Sequence, residues 1–273
     1  MTAALGERVG TGRNAEVFRY AESDVIKLLR DVGPAAGLER EAASQRAATE
    51  AGVRAPIVRG IEVLDGRPGL VMSELQGSDC LTAVESRPWR VWAIGRGVGR
   101  LHRELAAVKA PAELPRLVDI LRHAFESPKV PEAARSRLLA ILETLPEGDA
   151  LCHFDFHPGN VIEAPGGDAV IDFASACAGD PIADHAKSLV ILGSGTLPPG
   201  ASRKELALVA IGRKLMLAAY RSGYRAGGTV DERLVRRWMP LVVGQRLAEG
   251  IEEERVPLLR LLSRSLKEAE EAD

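Results

Sequence analysis

The sequence predicts an α+β chain, with a small antiparallel sheet first and a larger, mainly helical part after it. Three observations carry this. Residues up to about 75 contain β-rich runs around tight turns, residues beyond 77 repeat their apolar positions at helical spacing, and one stretch, 150–173, returns to strands inside the helical part.

Residues 17–20 and 25–29 are β-rich runs joined by a polar turn and preceded by Gly10 and Gly12, which reads as a hairpin beneath a glycine loop. LEREAASQRAATEAG, rich in alanine and glutamate, is a short helix stopped by Gly52. Strand character returns at 57–63 and 69–72 around an Asp65-Gly66 turn. After Gly77, Ile94, Val98, Leu101 and Leu105 share one helical face, and Leu138, Ile141, Leu142 and Leu145 another. ALCH, NVIEA and AVIDF are short apolar strands linked by a polar loop and by the turn at 165–168. From about 203 to 268 helical spacing resumes, with Leu234, Trp238, Leu241 and Val242 on one face and Ile251, Leu258 and Leu262 on another. There is no internal repeat.

A chain of 273 residues can form one large domain or two lobes sharing a cleft. Its 46% hydrophobic and 27% charged residues are those of an ordinary globular protein, which excludes a disordered chain. A net charge of −2 gives no electrostatic basis for a nucleic-acid or membrane-surface partner, and leaves small or cationic partners open. The N-terminus lacks an apolar signal-peptide core and no segment is long and apolar enough to span a bilayer, so a cytoplasmic location is expected. Cys80, Cys152 and Cys177 are odd in number and far apart, which points to neither a disulfide framework nor a metal knuckle.

The stretch LCHFDFHPGNVI (151–162) concentrates titratable groups on one turn. Two chemistries fit it: a metal site through His153, Asp155 and His157, or phosphoryl transfer with Asp155 and Asn160 facing a nucleotide. The other histidines, His102, His123 and His185, are not in ligand spacing, which disfavours the metal site. Phosphoryl transfer needs a phosphate cradle, a lysine, magnesium ligands and a group that orients the attacking hydroxyl. Gly10 and Gly12 would let backbone N–H groups approach phosphate oxygens. Lys27, on the next strand, would reach back beneath that loop. Glu41 would hold Lys27 extended, and is preferred to Glu39 and Glu50 by its distance from Gly52. Asp155 would accept the substrate hydroxyl's hydrogen bond and its proton, while Asn160 and Asp172 would hold magnesium through oxygen. Alone, a GTG turn or a strand lysine is ordinary; the downstream trio gives both their meaning.

In combination and order, GxGxxAxV (10–17), VIK (25–27), HFDFHPGN (153–160), IDF (171–173) and GDPIAD (179–184) resemble the aminoglycoside phosphotransferase and choline kinase branch of the kinase-like superfamily. RLAEGIEEE (246–254) resembles the C-terminal helices of small bacterial members. The resemblance implies a bilobal protein-kinase-like fold, with a nucleotide-binding lobe over 1–76 and a helical lobe with the catalytic loop and substrate site over 77–273. It implies an adenine-binding hinge that includes Ser73, Glu74 and Leu75, ATP as donor with GTP left open, and Mg2+. It makes His153 a loop-shaping residue, and Asp180 and Asp184 a bracing pair.

This sequence departs from that pattern in three places: Phe154 stands where glycine is usual, Ala15 replaces the third cradle glycine, and Ala174 follows Asp172-Phe173. The short distance from there to GDP leaves no room for an activation segment, which disfavours a protein kinase. Asp184 also reads as the N-cap of HAKSLVIL. Glu249, Glu252 and Glu253 fall on one helical face, solvated or lining a pocket for a cationic acceptor, and Asp184 joins them as a substrate candidate. The acceptor is then a hydroxylated small molecule: an antibiotic of aminoglycoside type or another, or choline, ethanolamine or a sugar. The alternative from another class is a non-catalytic nucleotide-binding module. A monomer and a dimer are both compatible with the sequence.

Overall fold

The computed structural model describes residues 5–12, 14–32, 34–194 and 202–271. Its N-terminal part comprises β1 (Leu5–Thr11), β2 (Ala15–Tyr20), β3 (Asp24–Leu29), α1 (Ala36–Glu50), β4 (Val58–Leu64) and β5 (Arg67–Ser73). The strands form one sheet in the order β1-β2-β3-β5-β4, every neighbouring pair antiparallel. The β4–β5 turn puts both Asp65 (φ 50°) and Gly66 (φ 77°) in the left-handed region, the geometry that matches strand twist. β1 was not expected as a strand. It is an edge strand exposed over nearly all its length, and its pairing with β2 is irregular, so no alternating apolar pattern marks it.

Period two divides the residues of β3 between the two faces of the sheet. Val25 packs with Leu38, Ala42, Leu70 and Met72 on the α1 side, whereas Ile26 and Leu28 join Tyr20 and Val71 on the other. Lys27 has the parity of Val25, so its side chain leaves the sheet toward α1.

The remainder begins with β6 (Ser78–Asp79), α2 (Cys80–Ser86), α3 (Val91–Leu105), α4 (Leu117–Phe125) and α5 (Glu132–Leu142). Then come β7 (Ala150–Cys152), β8 (Val161–Glu163), β9 (Ala169–Val170) and β10 (Cys177–Gly179). α6 (Pro181–Ser194), α7 (Arg203–Arg225), α8 (Glu232–Glu249) and α9 (Glu252–Glu270) close the chain. A single buried cluster joins α3 through α9 to Leu151, Cys152, Phe156 and Phe173, so the strands at 150–173 rest directly on the helical core. Those strands divide between two sheets: β8 lies between β6 and β9, while β7 pairs with β10. β10, a three-residue CAG run, is too short to show a pattern in sequence.

One expected helix is two. Gly250 takes a left-handed conformation (φ 74°) at the end of α8 and its N–H reaches Leu247 O, so α9 starts afresh after Ile251. Glu249 therefore belongs to α8, Glu252 and Glu253 to the first turn of α9, and the three do not share a helical face. Among the described residues no helix is long and apolar enough to cross a membrane.

Candidate active site

The β1–β2 connection carries the glycine pair. Gly12 N donates to Ala15 O at 2.8 Å, and Arg30, just past β3, grips the same turn: its guanidinium donates to Thr11 Oγ1 (2.7 Å) and Gly12 O (3.2 Å). Glu16 stands beside that guanidinium at 3.5 Å. A Cβ added at Gly12 would meet nothing closer than Ala15 O at 3.5 Å, an ordinary contact. The fold itself therefore does not require glycine there.

Lys27 Nζ lies 2.7 Å from Glu41 Oε1 on α1 and 2.7 Å from Asp172 Oδ1 beyond β9. Burial alone would lower the lysine's pKa, but the two carboxylates outweigh it and hold it above its ordinary value. Burial likewise works against ionised Asp172, yet the Lys27 ammonium keeps its carboxyl below the usual range. Val161 pairs with Val170 in the β8–β9 hairpin, and Ile171 N donates to Asn160 O at 3.0 Å. Asn160 and Asp172 thus emerge at the same end of that hairpin.

Asn160 Nδ2 donates to Asp155 O (2.9 Å) and lies 3.5 Å from Asp155 Oδ2. This fixes the amide and leaves Oδ1 as its remaining acceptor. With Asp172 Oδ1 on Lys27, the oxygens left are a carboxamide and an ionised carboxylate, hard donors that suit a magnesium ion completed by phosphate oxygens. Among the described residues no group of three or more His, Cys, Asp or Glu side chains could hold a metal.

The loop that presents Asp155 is held from behind. Asp184, fully buried on α6, accepts His153 N (2.6 Å) and Phe154 N (2.9 Å), and its Oδ2 lies 3.1 Å from His102 Nε2. Burial would raise this carboxyl; His102 and the backbone donors bring it below its usual range. Both oxygens of Asp184 are consumed inside the core, which leaves neither open to a substrate. Nor does Asp184 cap α6: Asp180 does, accepting Ile182 N at 2.8 Å. His153 Nε2 reaches Ile171 O (3.0 Å), tying the loop to Asp172's strand. His157 Nδ1 accepts Gly159 N (3.0 Å), and burial holds this imidazole below its ordinary pKa despite Asp155 nearby.

Phe154 adopts φ 61°, left-handed backbone that glycine tolerates and phenylalanine does not. The conformation costs about 1–2 kcal/mol for a residue with a Cβ. Its ring is buried against Lys187 on α6, whose Nζ lies 5.3 Å from the ring centroid.

Around Lys187 the acceptor side differs from expectation. Glu249 Oε1 takes the Lys187 ammonium at 2.5 Å and its Oε2 takes Arg246 Nη1 at 2.5 Å, while Gln245 also accepts from Lys187. Arg246 forks onto buried Glu254 with two contacts of 2.8 Å. The two cations balance the two carboxylates, so Glu249 is not a spare anion awaiting a cationic ligand. Glu252 and Glu253 are exposed in the first turn of α9, where they favour the helix N-terminus.

Sequence reasoning missed Lys187, Arg246 and Arg30. Lys187 left a signal, a lone charge within the apolar run AKSLVIL; Arg246 and Arg30 left none that separates them from surface arginines. The side chains of the expected hinge are committed to the sheet: Ser73 Oγ accepts Ile57 N at 2.8 Å, and Glu74 pairs with Arg19 at 3.1 Å. Leu75 is half-buried beside them.

The fold is that of several solved phosphotransferases. A thermostable mutant of aminoglycoside phosphotransferase APH(4)-Ia, in ternary complex with AMP-PNP and hygromycin B, superposes with a TM-score of 0.62 at 17% identity, covering 97% of this chain and 93% of that one. The amicoumacin kinase hAmiN in complex with AMP-PNP, Ca2+ and Ami gives 0.61 at 15%, covering 96% and 87%. The GDP and kanamycin complex of APH(2")-IIia gives 0.56 at 18%, covering 100% and 94%. No curated protein sequence matches significantly. The model of the phosphotransferase enzyme family matches residues 7–221, and with the bilobal kinase-like architecture around it this match shows that the chain belongs to that family and is a small-molecule kinase.

Proposed function

We propose that this chain moves the γ-phosphate of ATP to a hydroxyl of a small molecule, an aminoglycoside-type or other antibiotic, with magnesium. The observation that carries the reading is the run of contacts from Glu41 through Lys27 to Asp172, which ends on the hairpin that also presents Asn160 beside Asp155. A structural ion pair would not need an open asparagine and a second aspartate at its end. In this reading residues 1–76 take the nucleotide. The hinge of Ser73, Glu74 and Leu75 offers it backbone groups other than Ser73 N and Glu74 N, which are bonded to Ile57 O and Ser23 O. Gly10 and Gly12 form the phosphate cradle, consistent with a Gly12 that no internal contact demands. Lys27 holds phosphate oxygens, and residues 77–273 hold the acceptor.

Asp155 accepts the acceptor's hydroxyl hydrogen at its carboxylate and takes the proton late. Asn160 Nδ2 holds the Asp155 backbone carbonyl and so positions that residue. Asn160 Oδ1 and Asp172 Oδ2 are the atoms that would hold magnesium, which when bound supplies charge neutralisation between phosphate oxygens. GTP remains an alternative donor, as the fold neighbour with GDP illustrates. The pairing of Glu249 favours a second reading of the acceptor as a neutral hydroxylated molecule.

The test is phosphate transfer from MgATP to aminoglycosides, peptide antibiotics, macrolides, choline, ethanolamine and sugars, beside Asp155→Ala. Turnover with one class that the variant loses supports the reading and names the acceptor. Nucleotide binding that collapses in Asp155→Ala would overturn the role given to that residue.

A further inference from the structure

We propose that Lys187 is a positioning residue for phosphoryl transfer: its buried ammonium holds the Phe154 ring and so fixes the left-handed turn of backbone that aims Asp155. The inference rests on the proposed role of Asp155. Phe154 is the residue immediately before Asp155, its φ is 61°, and it is 3% exposed. Asp184 anchors the backbone N–H groups of residues 153 and 154, but those bonds leave the orientation of the ring, and of Asp155 after it, to other contacts. The ring's cationic contact is Lys187 Nζ at 5.3 Å, a geometry in which a desolvated ammonium is attracted to the aromatic face.

Lys187 is itself fully buried, a position a lysine occupies only when paired. Glu249 and Gln245 of α8 supply the partners, and Arg246 with Glu254 locks Glu249 in turn. Beside the bonds from Asp184, His153 and Asn160, α6, α8 and α9 thus act on the catalytic loop through one ammonium, and a glycine at 154 would have no ring to be held. The hydrogen bonds of Lys187 go to Gln245 and Glu249 and its ring contact is Phe154, although the charge of Asp155 is near enough to act on it as well. Lys187 acts through Phe154.

The experiment is a double-mutant cycle in the full chain with Lys187→Met, Phe154→Gly and the pair. It has two readouts: hydrogen exchange of the amides at 153–156, and hydrolysis of MgATP with water as acceptor. Lys187→Met is expected to speed exchange at residues 153 and 154 about thirtyfold, the factor that one desolvated cation–π contact is worth. It should lower kcat by a similar factor with KM for MgATP unchanged, the signature of a group that acts on the transition state alone. Lys187→Arg, which keeps a cation over the ring, should restore both. In the Phe154→Gly background, Lys187→Met should change exchange less than about twofold. Equal effects in both backgrounds overturn the proposal.

If Lys187→Met does not fold, Phe154→Leu removes the ring face while keeping a Cβ; it must reproduce the faster exchange, and normal exchange in that variant overturns the proposal. Absence of MgATP hydrolysis in the wild type, with the amide coupling intact, would instead overturn the proposed function and leave the brace on the loop established.

Discussion

The two sides of the cleft use charge in opposite ways. On the sheet side Lys27 bridges two carboxylates, Glu41 and Asp172, and Asp172, partly desolvated but with its side chain still 46% exposed, keeps its second oxygen outside that pair. On the helical side Lys187, Arg246, Glu249 and Glu254 satisfy one another almost completely. The first arrangement is left incomplete, as a binding site must be; the second is closed, as a structural brace must be. The difference is why Glu249 stands as part of a brace and not as a spare anion: its charge is visible in sequence, its neutralisation by Lys187 and Arg246 is not.

The largest expected effect breaks the site at its centre. Asp155→Ala should lower kcat about 10^3-fold, in the range for loss of a general base, with nucleotide affinity nearly unchanged when measured by titration with Mg-AMP-PNP. Next is the sheet side. Lys27→Met leaves Glu41 buried and unpaired, and should cost about 3 kcal/mol in denaturant unfolding while raising KM for ATP. Were stability unchanged, the pairing would not be what holds α1 to the sheet.

A smaller effect comes from α6, which carries both Asp184 behind the Asp155 loop and Lys187. Burial, together with nearby positive charge, pushes His185 down to about 3. Below its ordinary value near 6.5 the unfolded chain takes up a proton that the folded chain refuses. Stability should therefore fall as pH drops from about 6.5 toward 3, by about 1.4 kcal/mol per pH unit and about 2 kcal/mol by pH 5. His185→Gln should flatten this slope in chemical denaturation run across that pH range. The smallest effect sharpens the contrast: Glu252→Gln with Glu253→Gln should change stability by no more than about 0.5 kcal/mol per residue and leave acceptor KM unchanged. A large rise in KM would return these residues to the acceptor site.

Much of the sheet side was legible because local rules decide it. Strand parity sends Lys27 toward α1, and the Asp65-Gly66 turn sets the register of β4 and β5. The β8–β9 register puts Asn160 and Asp172 at one end of a hairpin. The helical side depends on pairings between residues about sixty positions apart, such as Lys187 with Glu249, which no periodicity encodes. The break at Gly250 was available in the sequence, but the continuous helical pattern around it outweighed a single glycine. β1 was hidden for the opposite reason, since an exposed edge strand has no buried face to pattern.

Gly77 (φ 137°) joins the sheet to the rest of the chain, and a Cβ there would fall 2.2 Å from Glu163 O. On its near side Glu74 N is tied to Ser23 O in the sheet, and on its far side Ser78 pairs with Glu163 at the end of β8. Between these moorings lie only Leu75, Gln76 and Gly77. Residues 48–55 are moored to the helical part as well, through Arg54 O on Val170 N and through Ala48, Val53 and Ala55 in its core, so any rocking of the sheet is shared between that segment and residues 75–77, where a methyl group at position 77 would act as a wedge.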